Sequence, residues 1–398
     1  MFLGNVLVGF PLAKLSLSIA SFIPFVVAAL AIALSFVVIS GRKTYKRTEA
    51  IVFIFIIICA WWGYLWLPYS LHMVVDDLGL LAVGLTHWQT INGTYVVQTC
   101  VLLTLSAVIA RTLSPYPRWA FVLTVISALN AGFGGPALAL SSVIMASLIA
   151  LIHLRKRKQG TTRIMLLAVF IVICTVAALA SLKLSPGSMY RSSLINNHVS
   201  LPLQSIPDLL VFTTVYPLEM WLLTFVNIGA ISSGLIVLAA SILIRKRRSD
   251  ALRNSNYLMW SGYLCSFSFV QCVVNRLCEY FTYTGYWHYA SAQLCSFLSI
   301  MLFSVWLMES ILPKLAQHKA NVLLLTLTII AFAGNAFALQ KMVQSMSDRQ
   351  KVWQVGAAPL PGVQDIEDNT GWQMGCWKSL ETARQRIDPP GFRLSADK

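Results

Sequence analysis

Of the chain's 398 residues, 57% are hydrophobic and 11% charged, whereas an ordinary soluble domain carries roughly 25% charged residues. That balance excludes a soluble globular enzyme. The formal net charge of +15 raises the question of nucleic acid, but 18 of the 30 basic residues sit in five short loops between apolar stretches, where membrane anchoring accounts for them.

In chain order, apolar stretches of about the 20 residues a spanning helix needs fall at 19–41, 50–68, 96–113, 119–134, 136–153, 163–182, 221–244, 256–275, 290–312 and 321–340. The fold class is therefore an all-α polytopic integral membrane protein with about ten spans, within a range of about nine to eleven. A β-barrel is excluded because its strands alternate every second residue, whereas 51–59 and 165–180 are apolar on every face. The pair at 119–134 and 136–153, broken by Gly132, Gly134, Gly135 and Pro136, reads equally as two short spans or a re-entrant hairpin. The N-terminus has no basic region followed by a small-residue cleavage site, so the first span is read as retained.

The loops at 42–49, 111–118, 154–163, 245–255 and 313–320 hold the basic clusters and alternate without violation. By the positive-inside rule they face the cytoplasm. The expected organisation is an outer-face segment at 1–18, compatible with an interfacial helix, and a transmembrane domain at 19–341. Outer loops follow at 69–95, 183–220 and 276–289, with an extracytoplasmic segment at 342–398. Both termini are thus expected outside, in a bacterial inner membrane.

The acids are distributed unlike the bases. Seven of the 15 lie after Met346, and of the other eight, five fall on the outer side: Asp76, Asp77, Asp208, Glu219 and Glu279. Four of the six histidines accompany them, His72, His87, His198 and His288, with two isolated arginines, Arg191 and Arg276. Orientation does not require this gathering, since acids contribute little to it. A transporter would instead place ionisable residues near the midplane of repeated halves, and neither feature is present. Glu309, inside a span, lies close enough to Lys314 to snorkel.

The adjacent pair Asp76-Asp77 at the exit of the second span is the sharpest signal, because a general base or a divalent-metal site would each use such carboxylates. The bland alternative is two solvated acids at a helix start. Glu279 follows Arg276 by three residues, which on a helix allows an ordinary ion pair. His72 and His87 lack paired spacing and are more often interfacial. Trp61, Trp62, Tyr64, Trp66, Tyr69, Trp88, Tyr283, Tyr286, Trp287 and Tyr289 read mostly as an aromatic belt. Seven of the eight cysteines lie in or at the ends of apolar stretches, as small packing residues, and no metal-ligand spacing links them to histidines.

Three further segments carry a family resemblance: Trp88-Gln89-Thr90-Ile91-Asn92-Gly93-Thr94-Tyr95, Leu184-Ser185-Pro186-Gly187-Ser188-Met189-Tyr190-Arg191, and Pro359-Leu360-Pro361 followed by Asp365-Ile366-Glu367-Asp368 and Trp372. With Asp76-Asp77 they resemble an uncharacterised family of bacterial multi-spanning proteins related to the serotype-converting, phage-associated glucosyltransferases. Such proteins are similar to the GT-C superfamily, which uses polyprenyl-phosphate-linked sugars at the outer membrane face. The family pattern has Asn-Gly-Arg and Pro-Gly-Asn in these loops; here Thr94 stands for the first Arg and Ser188 for the Asn, while Arg191 remains.

The resemblance implies a glycosyltransferase that moves one sugar, glucose for example, from a polyprenyl-phosphate donor to a surface glycan such as O-antigen, in contact with membrane lipids and not nucleic acid. The chemistry then asks for a base, a cation for the departing phosphate and polar or aromatic groups for the sugars. Asp77, then Asp76, is the expected base; Arg191 and Arg276 are expected at the phosphate, as guanidinium forks match phosphate oxygens. Trp88, Asn92, His72, His198 and Glu279 are the expected sugar or acceptor contacts. No cofactor is implied with certainty; a divalent metal stays an open alternative, with no ligand set assigned. A transporter or flippase for lipid-linked sugars, and a polysaccharide polymerase or ligase, are the competing classes.

Overall fold

The computed structural model describes residues 17–41, 92–155, 161–184, 214–226, 233–237, 251–282 and 289–311, with isolated helical positions between 54 and 61 and between 322 and 333. All regular structure among them is helical. The helices are α1 (Leu17–Ser40), α2 (Gln98–Thr112, entered through a π-helical turn at Asn92–Val97), α3 (Pro117–Phe133) and α4 (Pro136–Arg155). They are followed by α5 (Thr161–Leu184), α6 (Tyr216–Val226), α7 (Ala251–Thr282) and α8 (Tyr289–Ile311).

Among the described residues four segments are long and apolar enough to cross a membrane: Tyr95–Thr112, Pro136–Arg155, Thr161–Lys183 and Asn256–Asn275. Two shorter apolar helices, Val26–Ser40 and Ser291–Leu307, join them. In Thr161–Lys183 only 17% of the residues are buried, and Val172 and Val176 are each 61% exposed. An apolar helix with so little of its surface covered is consistent with lipid as its solvent.

Proline and glycine set the boundaries around the doubtful pair. Pro117 occupies the first turn of α3 behind an extended Tyr116, where the missing N–H costs nothing. Gly134 caps α3, and Gly135 then adopts a φ of +113°, open in practice only to glycine. The chain reverses there, and α4 starts at Pro136. The pair thus comprises two complete helices of 17 and 20 residues, about 26 and 30 Å long at 1.5 Å per residue. The second is itself one of the four long apolar helices.

Contacts between helices give their directions. Ser35 Oγ of α1 lies 3.1 Å from Cys100 O and 3.0 Å from Thr104 Oγ1. Further along both helices, the Arg111 guanidinium donates to the carbonyls of Val38 and Ile39. Helices α1 and α2 are therefore parallel. Arg111 helps to close the C-terminus of α1, where the last carbonyls lack helical N–H partners and Val38 O also accepts the Gly41 N–H at 3.2 Å. Arg111→Met should lower stability by about 1.5–3 kcal/mol, the worth of hydrogen bonds to a charged group, read as an earlier thermal unfolding of the detergent-purified protein; an unchanged transition would show that the cap carries no stability.

Helices α7 and α8 are antiparallel and closely joined. Ser261 and Ser299 each donate a hydroxyl to the other's carbonyl, at 3.0 and 2.8 Å. Ser268 Oγ reaches Ala292 O at 2.9 Å and Ser296 Oγ at 2.6 Å, and Ser296 meets Thr224 of α6 at 2.8 Å. Small hydroxyl residues at this seam let the backbones approach and replace a hydrophobic driving force that lipid cannot supply. Fully buried Phe267, Phe297, Leu264, Leu103 and Phe36 fill the space between this pair and α1–α2.

One end of the bundle collects the basic loops. The C-termini of α1 and α2 meet at Arg111. Leu113 after α2, His153 in the last turn of α4, Arg163 in the first turn of α5 and Met259 near the start of α7 line a single cavity. The end of α1, Leu113, His153 and Arg163 border or lie within the sequence runs 42–49, 111–118 and 154–163, where cations concentrate. At the opposite end, Asn130 Nδ2 donates to Gln98 O at 2.9 Å, joining the end of α3 to the start of α2.

Candidate functional site at the end opposite the basic loops

Helix directions decide which expected site residues share an end. Asn92 opens the π-helical turn that leads into α2 and packs against α1 and α8. Arg276 and Glu279 lie on the last turns of α7, about 24 Å along the helix from Trp260 at the basic end. The backbones of all three thus stand at the end away from the basic loops. The sequence places 276–289 in a loop after a span at 256–275; α7 instead runs unbroken from Ala251 to Thr282. The physical reason is local: Arg276, Leu277 and Glu279 are good helix formers, and the first breaker beyond them is Gly285. A helical backbone puts Arg276 and Glu279 on one face, as their three-residue spacing requires.

Asp76, Asp77, His72, Trp88, Arg191 and His198 lie outside the described residues, as do the side chains of Asn92, Arg276, Glu279 and Glu309. Trp61, grouped by sequence with the aromatic belt, is 3% exposed and meets Phe297 of α8 edge-on at 5.0 Å. It is a core residue, because α8 passes beside it. Cys100, Cys174, Cys272 and Cys295 are buried, in keeping with packing roles. Among the described residues no group of His, Cys, Asp or Glu could hold a metal ion.

Three amides extend the candidate site. Gln98 begins α2, Gln271 lies on α7 five residues before Arg276, and Gln293 lies in the second turn of α8. Both amide atoms of Gln271, and the carbonyl oxygens of Gln98 and Gln293, are buried without a hydrogen-bond partner. Leaving such an atom unsatisfied costs about 1–3 kcal/mol, so these positions favour a bound polar group. Sequence reasoning passed over them because an uncharged amide barely lowers the apolarity of a span. Their detectable signal was a glutamine inside an otherwise apolar helix, where polar residues are expensive.

No protein-family model matches the chain, and no curated protein or solved structure matches it.

Proposed function

We propose that the chain is a GT-C-like membrane glycosyltransferase with about ten spans. It transfers a sugar from a polyprenyl-phosphate donor to a surface glycan such as O-antigen, at the face opposite the basic loops. Under the positive-inside rule that face is periplasmic, the membrane is the bacterial inner one, and both termini are extracytoplasmic.

The observation that carries the proposal is segregation. Scarce acids, histidines and isolated arginines gather in the sequence segments 69–95, 183–220 and 276–289, and the backbones of Asn92, Arg276 and Glu279 sit on helical elements at the end away from His153 and Arg163. The unpartnered amides of Gln98, Gln271 and Gln293 add groups suited to sugar hydroxyls.

In the proposed reaction an acceptor hydroxyl attacks the anomeric carbon of the donor. Asp77, or Asp76, takes the hydroxyl proton. The bond from that carbon to the phosphate oxygen breaks, and the electron pair leaves on the lipid phosphate, which Arg191 and Arg276 stabilise. Trp88, Asn92, His72, His198 and Glu279 hold the sugars.

Purified protein in nanodiscs, supplied with radiolabelled polyprenyl-phosphate hexose and acceptor glycans, should transfer label to a glycan. Buried Gln271 inside the bundle favours one second reading, a transporter for lipid-linked sugars. That protein would move the labelled lipid across a sealed vesicle unmodified, and such a result with no transfer would replace the enzyme proposal.

The sidedness has its own test. Single cysteines introduced at Ser188 and Gln159 should react with impermeant reagent from opposite sides of the membrane. Labelling of both from one side would overturn the orientation on which the site depends.

A further inference from the structure

At the basic end, a cavity of about 540 Å³ opens among α2, α3, α4, α5 and α7. Its described walls include Leu102, Leu166, Leu167, Phe170, Trp260 and Phe267. The serine and threonine hydroxyls on those walls are mostly spent within their own helices: Ser106 on Leu102 O at 2.8 Å, Thr124 on Ala120 O at 2.7 Å, Ser142 on Leu138 O at 2.6 Å. Only Ser127 Oγ among these hydroxyls is buried without a partner. The surface offered to an occupant is therefore mainly hydrocarbon.

Charge is confined to one end of this space. Arg163, in the first turn of α5, and His153, in the last turn of α4, line it where the chain passes through Arg155-Lys156-Arg157-Lys158. Its described lining contains no carboxylate. Along α2 the lining runs from Leu113 to Leu102, about 16 Å, which is close to half of the ~30 Å hydrocarbon thickness of a bilayer. Met259, on the lining, is 61% exposed, so the cavity has a side open to the surroundings.

We propose that this cavity is a binding site for an anionic membrane phospholipid, with one acyl chain between α2, α4, α5 and α7 and the phosphate at Arg163 and His153. An apolar slot one leaflet deep, with the Arg163 guanidinium and the His153 imidazole at its mouth, matches an amphiphile whose head is anionic and whose tail is a single chain. A free phosphate would leave the apolar walls uncovered. A zwitterionic lipid would gain the tail contacts without the charge complementarity, and basic pockets between spanning helices on the cytoplasmic side are suited to anionic head groups. The site lies at the end away from the backbones of Asn92, Arg276 and Glu279, and it stands independently of the glycosyltransferase proposal.

The full-length protein in nanodiscs of equimolar phosphatidylglycerol and phosphatidylcholine, with matched acyl chains, tests this by native mass spectrometry of the lipid it retains. Wild type should keep one phosphatidylglycerol with a preference of about fivefold or more, since each basic residue near the surface contributes roughly that factor. Exchange of both partly exposed head-group residues, Arg163→Gln with His153→Gln, should remove the preference. Ala146→Phe, which puts a ring into the cavity from α4, should lose the retained lipid of either head group. If Ala146→Phe fails to purify as a folded species, Ala110→Phe on the α2 wall takes its place. Equal retention of the two lipids by wild type would overturn the proposal, as would a preference unchanged in both kinds of variant. Displacement of phosphatidylglycerol by an equimolar polyprenyl phosphate would overturn the assignment to a phospholipid.

Discussion

Asp77→Asn is expected to lower sugar transfer by at least about a hundredfold, the lower range of what a positioned general base contributes. Asparagine keeps the shape of the side chain and its capacity to accept a hydrogen bond through one oxygen, but it cannot take a proton at neutral pH. The loss should therefore appear in turnover more than in donor binding. Asp76→Asn separates the two carboxylates: the base shows the large loss, and its neighbour a smaller one. Both variants should retain the wild-type thermal transition, which distinguishes a chemical defect from unfolding. Undiminished transfer in both variants would remove the acidic pair from the mechanism and leave the outer face without its expected base.

Gly132→Leu should be the most damaging single substitution within the described helices, at about 3 kcal/mol, the upper range for forcing volume into a close-packed interior. Even a Cβ at Gly132 would stand 2.5 Å from Ala177 Cβ and 2.7 Å from Cys174 O, and the second of these is backbone. Helix α5 would have to move away from α3, and α5 also packs on α4, where Cys174 Sγ approaches Ala139 O at 3.8 Å. Gly262→Ala is the matched control, since nothing lies within 4 Å of the added carbon; removing glycine from a helix interior there should cost nothing. Melting curves of the two purified variants decide the matter. A Gly132→Leu protein as stable as wild type would mean that the α3–α5 contact does not hold the bundle together.

Much of the helical content was legible before any coordinates. The expected span at 163–182 became Thr161–Leu184, and that at 136–153 became Pro136–Arg155, because continuous apolarity bounded by proline, glycine and basic residues leaves a chain in lipid few alternatives to a helix. The described geometry brings the ends of α1 and α2 together at Arg111 and puts His153 and Arg163 on one cavity. The end of α7 was not legible, since hydropathy marks where a helix leaves hydrocarbon and not where its hydrogen bonding stops. Trp61 was misplaced for a related reason. An aromatic residue near the end of a span looks the same whether it anchors at the interface or turns inward against Phe297.

The candidate site was legible only as chemistry. Asp76, Asp77, Arg191 and His198 stand out because charged and titratable residues are rare in this chain, and their loops can be assigned to one side by counting spans. Gln98, Gln271 and Gln293 needed coordinates. Each is an uncharged residue that hydropathy hardly registers, and only packing shows that its amide oxygen is enclosed without a partner.

By itself the amino-acid order determined that this protein is built from apolar helices with cations concentrated in alternate loops, since a bilayer rewards continuous hydrocarbon and the cytoplasmic side retains lysine and arginine. Only the tertiary structure decided which faces turn inward. Helices that are apolar all round carry no amphipathic stripe to point at a core, so the choice falls to glycines such as Gly132, to paired hydroxyls such as Ser261 and Ser299, and to the space left between helices where they do not meet.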